Sequence, residues 1–330
     1  MMRAGSLSAW IAALCWTVAH APGAVGAQSA ADAFPTRPVR VVVPFPPGGP
    51  NDTLARLLAA QLSVRWRQNV VVDNRGGAAA IIGTDMVAKS VPDGYTLLLV
   101  GSNIATNESM YKKLPYDAVR DFAPVTQLAA TPYLLLVHPS VAATSVRQLI
   151  ELARANPGKL NYASASTGAA NHLAGELFKS MAGIDMTHIP YKGGGPALTD
   201  LLGGHVQLLF NNALTSMPHV RSGRVRLLAV SGAQRSQTLP EVPTVAESGL
   251  PGFDVSGWYG ILAPAKTPVA ILDRVHDDVV AVLRAPDTSE GLLSQGLEPV
   301  GNTRAQYAAL IRSEIEKWRK VIQTAGIKPE

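Results

Sequence analysis

Short apolar runs of strand length alternate along the chain with segments in which apolar residues recur at helical spacing. The first run begins at Val39 and ends in a Pro/Gly turn, after which one helix face carries Leu54 and Leu58. Strands separated by helices favour a parallel sheet with helical crossovers. The same pattern predicts further strands at 69–73, 95–100, 133–137, 160–163, 206–210, 226–230 and 255–263. It predicts further helices at 81–90, 146–155, 173–181, 197–202, 239–249, 269–283 and 304–325.

The chain contains two successive α/β units, with extended segments near 123–130 and 249–257 that cross from one unit to the other. A length of 330 residues has room for two domains. Two crossings place both chain ends in one lobe and insert the other lobe between them. We therefore predict an α/β protein with lobe 1 at 28–128 and 251–330, lobe 2 at 129–250, and a ligand cleft between the lobes.

Composition narrows the classes of function. Apolar residues make up 47% of the chain and charged residues 16%, so a large core is expected and disorder is disfavoured. The formal net charge is +5, but no run of Lys and Arg concentrates it. Nucleic-acid binding usually requires a basic stripe, so we predict no nucleic-acid partner and a mild attraction for small anions.

The N-terminus has the three parts of a secretory signal peptide. Arg3 gives a cationic start, an apolar core covers 7–18, and small residues lead to a predicted cleavage after Ala27. A retained membrane anchor is the alternative. The single cysteine, Cys15, lies inside this segment, so the predicted mature chain has no thiol for catalysis, metal binding or disulfides. The sequence thus predicts an exported protein.

Three loops rich in small residues each lead into a predicted helix. The first contains Gly48 and Gly49, and Asn51 or Asp52 is the predicted N-cap of its helix. Glycines let the backbone approach a ligand, and free N–H groups at a helix start attract a carboxylate or phosphate. Taken singly, each loop is also compatible with an ordinary strand-to-helix turn or a Ser/Thr cap. The other two loops lie at 164–172 and 188–196.

The sequence contains no evident cofactor or metal site. Its seven histidines are scattered, and none pairs with a carboxylate at ligand spacing. The loop with Gly48 and Gly49 lacks the spacing of a dinucleotide or P-loop fingerprint. We therefore predict no cofactor and no metal.

Nine short motifs spread over the mature chain share a characteristic order and spacing. They lie at 44–52, 74–84, 92–97, 114–117, 156–160, 172–178, 188–193, 243–247 and 258–264. Together these motifs resemble the Bug family, the extracytoplasmic substrate-binding receptors of tripartite tricarboxylate transporters. The resemblance implies a periplasmic protein with a type II periplasmic binding fold, in which two α/β lobes joined by two crossing segments close on a ligand. It also implies that backbone N–H groups and ordered waters at helix starts hold the ligand's carboxylate, with little help from charged side chains.

Carried over residue by residue, the resemblance implies a ligand site that both lobes form. Phe45 is either an apolar wall or a core residue, Asp52 is a cap unless the ligand carries an amine, and His172 is either structural or a ligand contact. Lys192 is either a solvated loop charge or a counter-ion. Lobe 1 supplies Phe45, Gly48, Gly49, Asn51, Asp52 and Ser102. Lobe 2 supplies Ser164, Ser166, Thr167, Gly168, His172, Tyr191, Gly193 and Gly194.

Two segments depart from the family pattern. At 76–80 the sequence Gly-Gly-Ala-Ala-Ala replaces the usual Pro-Gly-Ala-Gly-Gly, which weakens the expectation of a close backbone approach there. Ser166 stands where the family favours glycine, and Ala169 where it favours a hydroxyl residue. Ala169 therefore lacks the hydroxyl contact that the family pattern leads us to expect, and Ser166 and Thr167 offer hydroxyls at neighbouring positions instead. For this reason the ligand of a relative does not identify the ligand of this protein.

We predict a monomeric, non-enzymatic receptor that binds a small organic acid by lobe closure and delivers it to the permease subunits of a tripartite tricarboxylate transporter. The candidate acids are di- and tricarboxylates, acidic amino acids, and aromatic or pyridine carboxylates. Two alternatives remain. A sensor would present the ligand to a membrane kinase. An exported hydrolase would use Ser164 or Ser166 with His172, although no Gly-x-Ser-x-Gly elbow is present.

Overall fold

The computed structural model describes residues 33–329, and the predicted signal peptide and Cys15 lie outside this range. Within it, no helix is long and apolar enough to cross a membrane. The strands are β1 (Val39–Val43), β2 (Val70–Asn74), β3 (Thr96–Gly101), β4 (Phe122–Pro132), β5 (Leu134–Val137), β6 (Asn161–Ser164), β7 (Thr187–Pro190), β8 (Leu208–Asn211), β9 (Arg226–Val230), β10 (Ser256–Pro264) and β11 (Glu298–Pro299). The helices are α1 (Pro50–Trp66), α2 (Ile81–Ala88), α3 (Asn103–Met110), α4 (Val146–Ala155), α5 (Ala170–Ala182), α6 (Gly194–Leu202), α7 (Ala213–Arg221), α8 (Val269–Arg284), α9 (Pro286–Ser294) and α10 (Arg304–Thr324).

Lobe 1 is built on a six-stranded sheet with the order β11-β4-β10-β3-β1-β2. β1 pairs in parallel with β2 and β3, as the alternation of strands and helices predicts. β10 is antiparallel to both β3 and β4, because it enters this sheet from the other lobe. The predicted parallel pairing is therefore confirmed for β1, β2 and β3, but the sheet as a whole is mixed.

Lobe 2 is built on a five-stranded sheet with the order β7-β6-β8-β5-β9. β6 is parallel to β7 and β8, whereas β5 is antiparallel to β8 and β9. β5 has this direction because it continues the strand that arrives from lobe 1. The α/β class predicted from the sequence is confirmed in both lobes.

The crossing strands β4 and β10 connect the two lobes. They pair side by side from Phe122 opposite Pro264 to Pro132 opposite Ser256. β4 leads into β5 after one intervening residue, and β10 follows Val255, whose N–H donates to Ser231 O at 2.8 Å in lobe 2. The two lobes are therefore joined by this pair of antiparallel strands.

One apolar cluster extends through both lobes. It contains Leu98 from the sheet of lobe 1 and Phe210 from the sheet of lobe 2. α10 packs against both α3 and α5, where Trp318 is 2% exposed and Phe178 is fully buried. Two further clusters fill the other faces, under α1 and α8 in lobe 1 and under α6 and α7 in lobe 2.

The segment 239–249 is a series of turns, so the helix predicted there is wrong. Glu247 N donates to Thr244 Oγ1 at 2.9 Å and Thr244 N donates to Glu247 Oε2 at 2.8 Å, which is the pattern of a capping box. Gly249 then adopts φ +129° and turns the chain away before a second turn forms. Sequence periodicity also missed α3, α7, α9, β7 and β11, because these elements are short and carry no clear apolar stripe.

Candidate functional site

Two of the cavities between the lobes are lined by the loops that the sequence predicts to bind a ligand. The serine cavity, of about 300 Å³, is formed by the start of α3 and the loop before α5. The hinge cavity, of about 410 Å³, is formed by the starts of α1 and α7 and by the crossing strands. The serine cavity is lined by Ala79, Ser102, Asn103, Thr106, Asn107, Met110, Tyr111 and residues 166–170. The hinge cavity is lined by Gly48, Pro50, Thr53, Thr131, Tyr133, residues 212–215, Tyr259 and residues 295–297.

Helix α1 begins without a side-chain cap. Gly49 is the N-cap in an extended conformation, and Pro50 occupies the first helical position. The predicted caps, Asn51 and Asp52, are wrong, because both residues lie inside the first turn. The N–H groups of Gly49, Asn51 and Asp52 donate to no acceptor in residues 33–329. These donors are therefore available to a ligand.

Asp52 fixes the loop that precedes α1. Its Oδ2 atom accepts hydrogen bonds from Gly48 N at 2.9 Å and from Arg56 Nε at 3.0 Å. The Arg56 side chain and then the Gly48 N–H lower the pKa of Asp52 to about 2, so this carboxylate is ionised at neutral pH. Because the Arg56 cation balances this charge, Asp52 repels an anion in the cleft far less than an isolated carboxylate would.

Phe45 and Asn51 flank the glycines of this loop. Phe45 is half-buried and packs against the cluster under α1 and α8, in line with the core alternative. Asn51 is 9% exposed, and its Oδ1 atom has no donor in residues 33–329. A Cβ built on Gly101 would lie 3.7 Å from this atom, so the Asn51 amide lies at the carboxyl end of β3.

Helix α5 also begins without a side-chain cap. Its N-cap is Ala169, so the alternative of a Ser/Thr cap is wrong. The missing hydroxyl at this position leaves the first turn of α5 open to a ligand. Five N–H groups here have no hydrogen-bond acceptor in the part of the chain that the structure describes. They belong to Ser166, Thr167, Ala170, Asn171 and His172.

Gly168 brings the two lobes into contact at the serine cavity. It adopts φ +78°, and a Cβ there would lie 2.5 Å from Met110 Cε, so any side chain at this position would strain the backbone and displace the end of Met110. On the lobe 1 side, Asn103 was not predicted as a site residue, yet its Nδ2 atom is buried and has no acceptor in residues 33–329. The serine cavity brings together four predicted site residues, Ser102, Ser166, Thr167 and Gly168.

The third predicted loop lines neither of these two cavities. α6 begins at Gly194, earlier than predicted, and Gly193 is its N-cap with no side-chain contribution. The Tyr191 hydroxyl donates to Asp200 Oδ2 at 2.6 Å, and the ring packs against the core of lobe 2. Lys192 is exposed, as expected of a solvated loop charge.

Three aromatic rings stack next to the loop before α5. The His172 and His188 ring centroids are 3.8 Å apart, and the Tyr162 ring centroid lies 4.9 Å from that of His188 and 6.3 Å from that of His172. His172 Nδ1 accepts a hydrogen bond from Gly168 N at 3.0 Å. Ser164 Oγ lies 2.6 Å from His188 Nε2. The stack therefore holds both ends of the loop that lines the serine cavity.

The hypothesis that a serine pairs with His172 is wrong. Ser164 is fully buried and contacts His188 instead, and Ser166 has no hydrogen bond to either histidine. Sequence reasoning missed His188 because it is 24 residues away from Ser164. Only the parallel pairing of β6 with β7 brings the two together, with Tyr162 opposite His188.

Burial lowers the pKa of both stacked histidines. Desolvation is the largest cause for each, and together with the neighbouring His172 it lowers the pKa of His188 to about 4. Lys179 adds to the shift and Glu176 opposes it. Both imidazoles are therefore neutral near pH 7.

We expect the free energy of unfolding to fall as the pH drops from 6.5, the ordinary histidine pKa, to about 4. Between these two pH values His188 is protonated in the unfolded chain but not in the folded protein. Acid therefore favours the unfolded state. The measurement is urea unfolding at pH 7 and pH 5. His188→Gln should reduce the difference between the two pH values, whereas replacement of the exposed His205 with Gln should leave it unchanged. An unaltered difference in the His188 variant would contradict this account.

No side chain that carries a charge at neutral pH lines either cavity. No group of three or more His, Cys, Asp or Glu in residues 33–329 could hold a metal ion. An anion in the cleft would therefore depend on helix starts, each of which contributes about 0.3–1 kcal/mol when exposed and up to ~2 kcal/mol when partly buried. A micromolar affinity corresponds to roughly 8 kcal/mol, so several N–H groups must converge on one ligand.

The family model described as the tripartite tricarboxylate transporter family receptor matches residues 54–327. The chain belongs to this receptor family. The protein BugT of Bordetella pertussis is 39% identical over 310 residues, which are 93% of this chain and 95% of BugT. The resemblance to the Bug family is thereby confirmed.

Two solved structures of similar proteins contain small carboxylates. An R. palustris protein with adipate is 41% identical, has a TM-score of 0.74, and the alignment covers 90% of this chain and 100% of that one. MatC from Rhodopseudomonas palustris, with bound malate, is 32% identical, has a TM-score of 0.69, and the alignment covers 88% and 100%. The receptor family therefore shares the two-lobe periplasmic binding fold predicted from the sequence.

Proposed function

We propose that this receptor binds a small organic acid in the periplasm and delivers it to the permease of a tripartite tricarboxylate transporter. The observation that carries the proposal is the presence of two helix starts without side-chain caps, α1 in lobe 1 and α5 in lobe 2, beside two cavities that are lined by no charged side chain. The adipate and malate complexes of relatives support the ligand class. The family itself supports the permease as partner.

The proposed binding mode uses both lobes of a monomer. A carboxylate accepts hydrogen bonds from the free N–H groups of α1 and α5, in sites formed by the predicted residues of both loops. A ligand that touches both lobes stabilises a closed arrangement more than an open one, with β4 and β10 as the hinge. The permease then distinguishes the closed surface from the open one.

An exported hydrolase has little support. Ser164 is fully buried, and no carboxylate forms a hydrogen bond with His188 or His172 in residues 33–329. A buried hydroxyl without access to substrate cannot act as a nucleophile. A sensor would use the same ligand site as a transport receptor, and capture of membrane partners with the ligand-loaded protein distinguishes the two.

The test is a melting screen of the mature chain after bound ligand has been removed by unfolding and refolding. At least one small carboxylate should raise the melting temperature in a concentration-dependent way, because a ligand at 100 times its Kd adds about 2.7 kcal/mol to the free energy of unfolding. The methyl ester of the same acid is the matched control and should have no effect. The proposal fails if no di- or tricarboxylate, acidic amino acid or aromatic acid stabilises the protein.

Export should leave a mature chain that begins after Ala27. The intact mass of protein recovered from the periplasm tests this cleavage site. A mass that includes residues 1–27 would favour the retained anchor instead.

A further inference from the structure

Two tyrosines face the hinge cavity from the strands that connect the lobes. Tyr133 directly follows β4, and Tyr259 lies within β10. A Cβ built on Gly257 would lie 3.4 Å from the Tyr133 hydroxyl oxygen, so this hydroxyl lies beside Gly257. Gly257 and Tyr259 share one face of β10, because side chains alternate along a strand. The two tyrosines are therefore neighbours on the cavity side of the hinge.

Neither tyrosine hydroxyl has a hydrogen-bond partner in residues 33–329. Burial raises the pKa of both phenols, and the nearby Tyr259 raises that of Tyr133 further. Both groups therefore remain uncharged hydroxyls at physiological pH. Because both tyrosines line the cavity and neither hydroxyl has a partner there, the pair is suited to a ligand group that can donate and accept hydrogen bonds.

The rest of the cavity combines apolar contact with a single free helix start. Pro50, Leu214 and Leu297 supply apolar surface. Gly48, Pro50 and Thr53 at the start of α1 line the cavity, and the free N–H groups of Gly49, Asn51 and Asp52 belong to the same turn. α7 also begins there, but Asn212 Oδ1 accepts from Thr215 N at 3.0 Å, so that start is already capped. The cavity thus has one place for a carboxylate and no second one.

We propose that the hinge cavity takes the uncharged end of a monocarboxylate. The carboxylate binds at the start of α1, and an apolar or aromatic body places a hydroxyl or carbonyl group against Tyr133 and Tyr259. This inference rests on the proposed function as a carboxylate receptor and specifies its ligand class. A second carboxylate in the same position would lose its water without gaining a cation or a free helix start, which is unfavourable.

The experiment measures Kd by calorimetry for two matched series of acids. One series is hexanoate, 6-hydroxyhexanoate and adipate, and the other is benzoate, 4-hydroxybenzoate and terephthalate. Within at least one series, the hydroxy acid should bind about 3- to 10-fold more tightly than the unsubstituted acid, the value of one or two neutral hydrogen bonds. It should also bind at least about 10-fold more tightly than the diacid of the same series, because the second carboxylate is left uncompensated.

Two variants assign the effect to the tyrosines. Tyr133→Phe and Tyr259→Phe should each weaken hydroxy-acid binding about 3- to 10-fold and leave binding of the unsubstituted acid unchanged. Tyr95→Phe is the control, because the Tyr95 hydroxyl accepts from Thr36 N at 3.0 Å on lobe 1 and lines neither cavity.

The possible results separate this inference from the proposed function. If a diacid such as adipate or malate binds and the hydroxyl gives no advantage in either series, the inference fails and the receptor function stands. The inference also fails if the Phe variants bind all acids as the unaltered protein does. If no acid in either series or in the wider screen binds, both proposals fail.

Discussion

Replacement of Ala170 with proline should weaken carboxylate binding by about 10- to 150-fold, the value of one hydrogen bond to a charged group. Ala170 is the first residue of α5, and its N–H has no acceptor in residues 33–329. Proline is well tolerated at this position of a helix, because the N–H that it removes takes no part in the helix. Ala169 has φ −65° and ψ 154°, which suits a residue that precedes proline. The variant therefore removes one N–H group that the proposed site offers to the carboxylate, and we expect it to leave the fold intact.

The matched control is Ala170→Val, which adds comparable bulk next to the serine cavity and keeps the N–H. Calorimetry with the acid identified by the melting screen measures both variants, and urea unfolding checks that each has retained its stability. If the proline variant binds as tightly as the unaltered protein, the start of α5 is not part of the carboxylate site. If valine weakens binding as much as proline, bulk rather than the lost N–H is responsible.

Alanine at Gly175 should destabilise the protein by about 1–3 kcal/mol. Glycine in a helix is ordinarily unfavourable, so alanine should stabilise by roughly 0.5–1 kcal/mol where space allows. At Gly175, which lies in α5, a Cβ would lie 2.3 Å from Tyr162 Cε2. Tyr162 is fully buried, stacks on His188 and donates its hydroxyl to Glu176, so it cannot move aside easily.

Gly291 is the control for this substitution, because it also lies in a helix, α9, and a Cβ there meets nothing within 4 Å. Gly291→Ala should raise the free energy of unfolding by roughly 0.5–1 kcal/mol. The two alanine variants should therefore change the urea midpoint in opposite directions. A stabilising effect at Gly175 would show that the Tyr162 ring relocates at little cost.

Sequence periodicity predicted the long amphipathic helices well. In α10, helical spacing predicts an inward face made of Tyr307, Leu310, Ile311, Ile315, Trp318 and Val321. All of these residues are buried except Leu310, which is half-buried against the same core. In α7, by contrast, Ser216 is the one fully buried side chain, and this helix was not predicted. A short helix without an apolar stripe forms because tertiary contacts with the surrounding loops and sheet edges stabilise it. The local sequence pattern gives no information about those contacts.

The candidate site was accessible from the sequence only in part. The glycine and serine loops before α1 and α5 are local signals, and both loops line the cleft. The caps were misassigned, since Asp52 bonds to the Gly48 N–H from the third helical position rather than from the cap. The pairing of Ser164 with His188 and the proximity of Tyr133 to Tyr259 depend on strand pairing between distant segments, so no local pattern predicts them.

The segment 76–80 illustrates a different limit. The resemblance made a close backbone approach there less certain, because alanines replace glycines. Ala78, Ala79 and Ala80 nevertheless adopt φ values of 45°, 50° and 74°. A non-glycine residue in this region is unfavourable by about 1–2 kcal/mol, so the surrounding contacts, such as Asn107 Nδ2 donating to Ala79 O at 3.0 Å, must maintain it. The presence of alanine instead of glycine therefore does not exclude positive φ values where surrounding contacts hold the backbone in place.

The apolar cluster shared by the two lobes limits how the cleft can open. Any motion that pulled α5 away from α10 would expose apolar side chains of this cluster to water, at a cost of about 1.5–3 kcal/mol for each large side chain. A rotation that keeps this seam closed avoids that cost. We therefore expect the lobes to rotate about this buried apolar interface. The interface limits how far the cleft can open, although it lies outside the proposed ligand site.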